Sequence, residues 1–149
     1  MKKPHQESRE RVAYGCPEDA ERAFYDAFTS CDPQAMGQVW AQDDVICIHP
    51  GSMLLRGRAS VLQSWVQILT GAAKPSIRVQ AIKRLRHGDL AIHVVEEHIT
   101  PGSASSAAPS MILATNIFRL IDGAWYLVEH HASLPLVPTD IEQPKAVLH

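Results

Sequence analysis

The sequence predicts an α+β domain in which N-terminal helices cover a curved, cone-shaped antiparallel sheet and enclose a pocket. Three observations predict it. Apolar residues recur at three- and four-residue steps in the first half of the chain, the period of a helix face. In the second half they alternate with polar residues, the period of a half-buried strand. Asp122-Gly123 then sits between two such alternating runs, where a tight hairpin turn belongs. Helices followed by hairpin-linked strands place the helices on one face of the sheet. A chain of 149 residues fits one domain and can bury a core without metal or disulfide support.

In chain order, residues 1–16 are polar and charged and read as a flexible arm. Residues 17–134 form the domain, and residues 135–149, with Pro135, Pro138 and Pro144, an extended tail. Pro17 opens the first helix, with Glu18 and Asp19 at the positive end of its dipole. Ala20, Phe24, Ala27 and Phe28 are its apolar face. Asp32-Pro33 starts a second helix, Asp32 capping and Pro33 in the first turn, with Met36, Val39 and Trp40 turned inward. Val45 to Ile48 reads as a short strand that His49-Pro50-Gly51 must end. After Arg56-Gly57-Arg58, a third helix carries Val61, Leu62, Trp65, Ile68 and Leu69 on one stripe. Four strands follow: one begun by Ile77, Val79 and Ala81, then Leu90 to Ile99, Met111 to Leu120, and Trp125 to Ser133.

Composition excludes several function classes. Hydrophobic residues make up 46% and charged residues 20%, and 14 basic against 16 acidic residues leave a formal charge of −2. Nucleic-acid binders carry a basic excess or stripe, so no nucleic-acid partner is expected. Cys16, Cys31 and Cys47 contain no Cys-x-x-Cys pair, which argues against a disulfide framework or a thiolate zinc site. The eight histidines show no His-x-His or His-x-x-x-His spacing, and His93 and His98 fall on opposite faces of a strand, so no metal is expected. The first residues have no apolar leader core and no run approaches membrane length, so the expected location is the cytoplasm, without membrane contact. Phosphate-loop, dinucleotide and nucleophile-elbow motifs are missing, and no cofactor is expected.

The order of these pieces resembles the nuclear transport factor 2-like superfamily, and within it the SnoaL-like domains. The resemblance is carried by Ala23-Phe24-Tyr25-Asp26-Ala27-Phe28 with Asp32, Val39-Trp40-Ala41, and Asp44-Val45 running into His49-Pro50-Gly51. It continues in Leu55-Arg56-Gly57-Arg58 with Trp65, and in Trp125 to Ser133. The superfamily includes ketosteroid isomerases, polyketide cyclases, dehydratases, epoxide hydrolases and proteins that only bind or oligomerise, so fold does not settle function. Carried over from the steroid isomerases, the general-base position before a proline after the first strand falls on His49. The oxyanion acid before a Phe-Arg pair falls on Asn116, and the oxyanion tyrosine, eight residues before Asp32, on Phe24, which has no hydroxyl. The base has changed type and one donor is missing.

The candidate site residues follow. A histidine titrates near neutral pH, so His49 could take a proton and return it, or simply bond a backbone carbonyl at a strand end. Asn116 shares a face with Ile112, Ala114 and Phe118, where its NH₂ could stabilise oxyanion charge or be satisfied by a neighbouring strand. Glu97 shares parity with His93 and could orient it or act as an acid, or else stand in solvent at the barrel mouth. The SnoaL-like pattern puts a pocket histidine just ahead of Ala132-Ser133, which selects His131. Phe24, Trp40, Trp65, His93 and Phe118 are expected around the ligand, although Trp40, Trp65 and Phe118 read most simply as core. The expectation is a small-molecule-binding protein, a cofactor-free isomerase, cyclase, dehydratase or hydrolase with a histidine base, or alternatively a module that binds or oligomerises without turnover. Ile117 and Tyr126 on the outer sheet face suggest a homodimer.

Overall fold

The computed structural model describes residues 10–71, 73–103 and 105–136. Two helices, α1 (Pro17–Thr29) and α2 (Pro33–Val39), are followed by two short strands, β1 (Ile46–Ile48) and β2 (Leu55–Arg56), and a third helix, α3 (Arg58–Thr70). Four long strands complete the chain: β3 (Ser76–His87), β4 (Leu90–Thr100), β5 (Ser110–Ile121) and β6 (Ala124–Ser133). They form one sheet in the order β2-β1-β6-β5-β4-β3. The expected antiparallel sheet needs one correction, because β1 runs parallel to β6, with Cys47 opposite His130. The stretch from β1 to β6 includes α3 and four strands, long enough to return the chain in the same direction.

The helices start where local chemistry lets them. Asp32 accepts from the backbone N–H groups of Gln34 (3.0 Å) and Ala35 (3.1 Å), capping α2. Arg58 stands at the start of α3, a poor place for a cation. Its guanidinium instead gathers the carbonyls at the end of α2, Gly37 (2.8 Å), Trp40 (2.8 Å) and Ala41 (3.0 Å). Gly57, with φ of 90°, makes the turn into α3 in a region a Cβ would strain.

The core lies between the helices and the inner sheet face, where Phe24, Trp40, Trp65, Phe118, Trp125 and Leu127 are fully buried. Two irregularities curl the sheet: Ile82 is an extra residue in β3, and Val128 an extra residue in β6. The expected flexible arm is tied down where it is described. The Tyr14 carbonyl accepts from Trp125 N (2.9 Å), the Tyr14 ring meets Tyr126 edge-on, and Tyr126 donates to the Val12 carbonyl (2.8 Å). Tyr126 is therefore buried beneath the chain's own arm rather than free on the outer face. Residues 1–9 and the tail beyond 136 lie outside the described residues.

Candidate functional site

Two polar groups of different character meet at the Trp65 indole, one buried and one open to a cleft. The buried group joins α1 to β4, β5 and β6. Asn116 (0% exposed), Glu97 (2%) and His130 (2%) lie on the inner sheet face, with Tyr25 of α1 above them. Asn116 Nδ2 donates to Tyr25 Oη (3.0 Å), and Tyr25 Oη donates to Glu97 Oε1 (2.7 Å). His130 Nδ1 lies 2.6 Å from Asn116 Oδ1, which can only accept, so the neutral His130 carries its proton on Nδ1. The donors thus run in one direction, from His130 through Asn116 and Tyr25 to Glu97. Burial pushes the Glu97 carboxyl up to about 7, against the Tyr25 hydrogen bond. Burial, with the charges of His49 and His131, pushes His130 down to about 3. Tyr25 is raised well above its usual value, chiefly by burial.

His131, expected in the pocket, is exposed, and His130 takes the inward place. The bulge is the reason. Leu127 faces inward opposite Phe118, Val128 is the extra residue, and the next inward position falls on His130, opposite Asn116. Glu97 does not orient His93 as suggested. His93 Nδ1 pairs with Glu21 Oε2 (2.8 Å), and Glu21 Oε1 accepts from Arg84 (2.8 Å). Burial alone would raise the Glu21 carboxyl, but the hydrogen bonds from His93 and Arg84 hold it below its usual value. Sequence reasoning missed Tyr25 and Glu21. Their signal is a four-residue spacing along one edge of the α1 apolar stripe.

His49 belongs to the open group. Its half-buried imidazole leaves the end of β1, packs edge-on against Trp65 (4.9 Å), and places Nε2 2.9 Å from Ser64 Oγ on α3. Trp65 also packs against His130 (5.9 Å), so one indole touches both imidazoles. Burial lowers the His49 pKa, leaving the ring neutral at pH 7. The Cys47 thiol beside it, 3.7 Å from Nε2, is pushed up to about 12 by burial and is no nucleophile. His49, Ser52, Met53, Leu55, Ser64, Gln67 and Ile68 line a cleft of about 500 Å³.

The structure thus brings Asn116 and Glu97 together, but not with His49 on one cleft wall. Phe24, Trp40, Trp65, His93 and Phe118 are core side chains in this conformation, and none lines the His49 cleft. Among the described residues, no cluster of three or more His, Cys, Asp or Glu side chains could hold a metal, and no helix is long and apolar enough to cross a membrane.

A family model described as SnoaL-like domain matches residues 18–137. The chain belongs to the SnoaL-like domain family. This SnoaL-like chain is 39% identical to a candidate calcium/calmodulin-dependent protein kinase type II association domain from Thiobacillus denitrificans, covering 84% of this chain and 99% of that one, with a TM-score of 0.78. A candidate dehydratase of the NTF2-like family from Streptomyces avermitilis is 30% identical, over 79% of this chain and 92% of that one, with a TM-score of 0.73. The F-box protein SKIP8 of Arabidopsis thaliana is 26% identical over 117 residues, 78% of this chain. The SnoaL-like chain spans 46% of that F-box protein's length.

Proposed function

We propose that this SnoaL-like protein binds a small organic molecule in the cleft beside His49 and that His49 is the general base of a cofactor-free reaction. The observation that carries the reading is the His49 imidazole itself, kept neutral by burial and held by Ser64 on the wall of a cleft of about 500 Å³. A neutral imidazole can accept a proton at pH 7, and the apolar lining of Met53, Leu55 and Ile68 suits an organic ligand. The 30%-identical dehydratase candidate favours proton-transfer chemistry over other reaction types. In this reading the buried Tyr25–Glu97–Asn116–His130 chain fixes the floor of the site behind Trp65.

The test is a turnover screen of small ketones, lactones, epoxides and hydroxylated aromatics, repeated with His49→Gln. Glutamine keeps the size and hydrogen bonding but cannot carry a proton, so the rate should fall on the order of 10²–10⁴ with ligand affinity retained. Turnover at the wild-type rate would make His49 structural.

A second reading is that the chain is a non-catalytic binding and assembly module. It is favoured by the 39%-identical relative, which is named for an association domain. Compounds that bind to the cleft while none reacts would support it over the catalytic reading.

A further inference from the structure

The His49 cleft differs in kind from the groove between α1 and β3. That groove, of about 380 Å³, is lined by Glu18, Glu21, Arg22, Asp26 and Arg84 among others, so both signs of charge compete for any ligand there. The His49 cleft has no Asp, Glu, Lys or Arg on its wall. Its polar atoms are one imidazole, two hydroxyls and one amide, from His49, Ser52, Ser64 and Gln67. An ion entering it would lose water and meet no opposite charge, whereas a neutral molecule loses far less.

The hydrogen bonds of Ser64 decide which imidazole nitrogen is available. Ser64 Oγ lies 2.7 Å from the Val61 carbonyl and 2.9 Å from His49 Nε2. A hydroxyl has one proton, and a carbonyl can only accept, so the shorter contact takes that proton. The contact to His49 then requires Nε2–H to donate to Ser64 Oγ. The neutral ring has its second nitrogen, Nδ1, as a bare lone pair. The Cys47 sulfur, 4.0 Å from Nδ1, is too distant and too weak a donor to occupy it.

We propose that this cleft takes an uncharged molecule that donates a hydrogen bond, from a hydroxyl or an N–H, to His49 Nδ1, and that Ser64 is the positioning residue that keeps Nδ1 free of its proton. The inference rests on the cleft being the ligand site. It narrows the ligand to neutral donors and names the atom that meets them.

The test uses four probes on one ring skeleton, with the full chain at about pH 8, where a carboxylic acid and an amine are both ionised. Cyclohexanol offers a donor, cyclohexyl methyl ether removes it, and cyclohexanecarboxylate and cyclohexylammonium replace it with a charge. Affinities are read from the His49 ring resonances in a ¹⁵N-labelled sample, which also report the tautomer. Cyclohexanol should bind about fivefold more tightly than the ether, the worth of one neutral hydrogen bond. It should bind at least about tenfold more tightly than either ion. The free protein should show His49 protonated on Nε2. Ser64→Ala should mix the two tautomers and erase the preference for the alcohol, and Ser64→Thr, which keeps a hydroxyl, should restore both.

Equal binding of alcohol and ether, or tighter binding of either ion, would overturn the ligand class while leaving the cleft as a site. A wild-type proton on Nδ1, or a tautomer unmoved by Ser64→Ala, would overturn the role of Ser64. If none of the four probes shifts the His49 resonances, the ligand class falls together with the cleft reading beneath it.

Discussion

Glu97 and His130 change their ionisation on folding in opposite senses. The Glu97 carboxyl rises from 4.5 to about 7, so between those values the folded chain holds a proton that the unfolded chain has lost. Its contribution to stability therefore falls as pH rises through that window. His130 drops from 6.5 to about 3, so the unfolded chain binds the extra proton and stability rises with pH from about 3 to about 6.5. The two effects oppose each other between about 4.5 and 6.5, so within that window they offset each other in the whole protein. Glu97→Gln removes only the first, and its amide oxygen can still accept from Tyr25. Urea unfolding should show this variant gaining on the wild type from pH 5 to pH 8, by on the order of 3 kcal/mol. A difference that stays constant with pH would mean that Glu97 is already ionised at pH 5. At this scale strand parity, which is local, put Asn116 on the face of Phe118 and Glu97 on that of His93, but left open whether Glu97 faced solvent. It could not show His130. The Asp122-Gly123 turn sets Phe118 opposite Leu127, and only the extra Val128 brings His130 opposite Asn116. A bulge of one residue leaves no mark in a period-two pattern.

Elements were the most legible level. Pro17, Asp32-Pro33 and Gly57-Arg58 begin the helices, and each acts through chemistry confined to a few residues. The parallel pairing of β1 with β6 was not legible, since nothing near Ile46 specifies a partner more than eighty positions away. Nor was the covering of Tyr126, which depends on where the arm from Arg11 to Tyr14 lies. The outer faces of β4 and β5 remain half-exposed, with Ile92 opposite Ile117 and Val94 opposite Thr115, beside Leu113. An apolar face on two central strands suits a second copy laid against it, and we propose that it forms the homodimer interface. Sedimentation should give about twice the 16.4 kDa chain mass, and Val94→Lys should halve it. A wild-type monomer would contradict the pairing.

At the scale of the whole molecule, the core aromatics pack together and the His49 cleft opens at the edge of that packing. The aromatic side chains expected around a ligand instead pack on one another: Phe24 meets Tyr25, Trp40, Trp65 and His130, with ring centroids between 4.8 and 6.4 Å. The sequence showed that these residues are buried, but burial cannot tell a cavity wall from a packed core. That distinction depends on how far α1 and α3 stand from the sheet. The proposed site therefore lies where the packing ends, at His49, between the loop after β1 and the exposed side of α3. Met53, 84% exposed, stands on its rim. The direct test is amide shift mapping of the ¹⁵N-labelled protein, titrated with the tightest compound from the screen. The account predicts the largest shifts at Ser52, Met53, Leu55, Ser64, Gln67 and Ile68, with the His49 ring moving beside them. Shifts confined to the strands around Glu97, Asn116 and His130, with the His49 cleft unmoved, would contradict it.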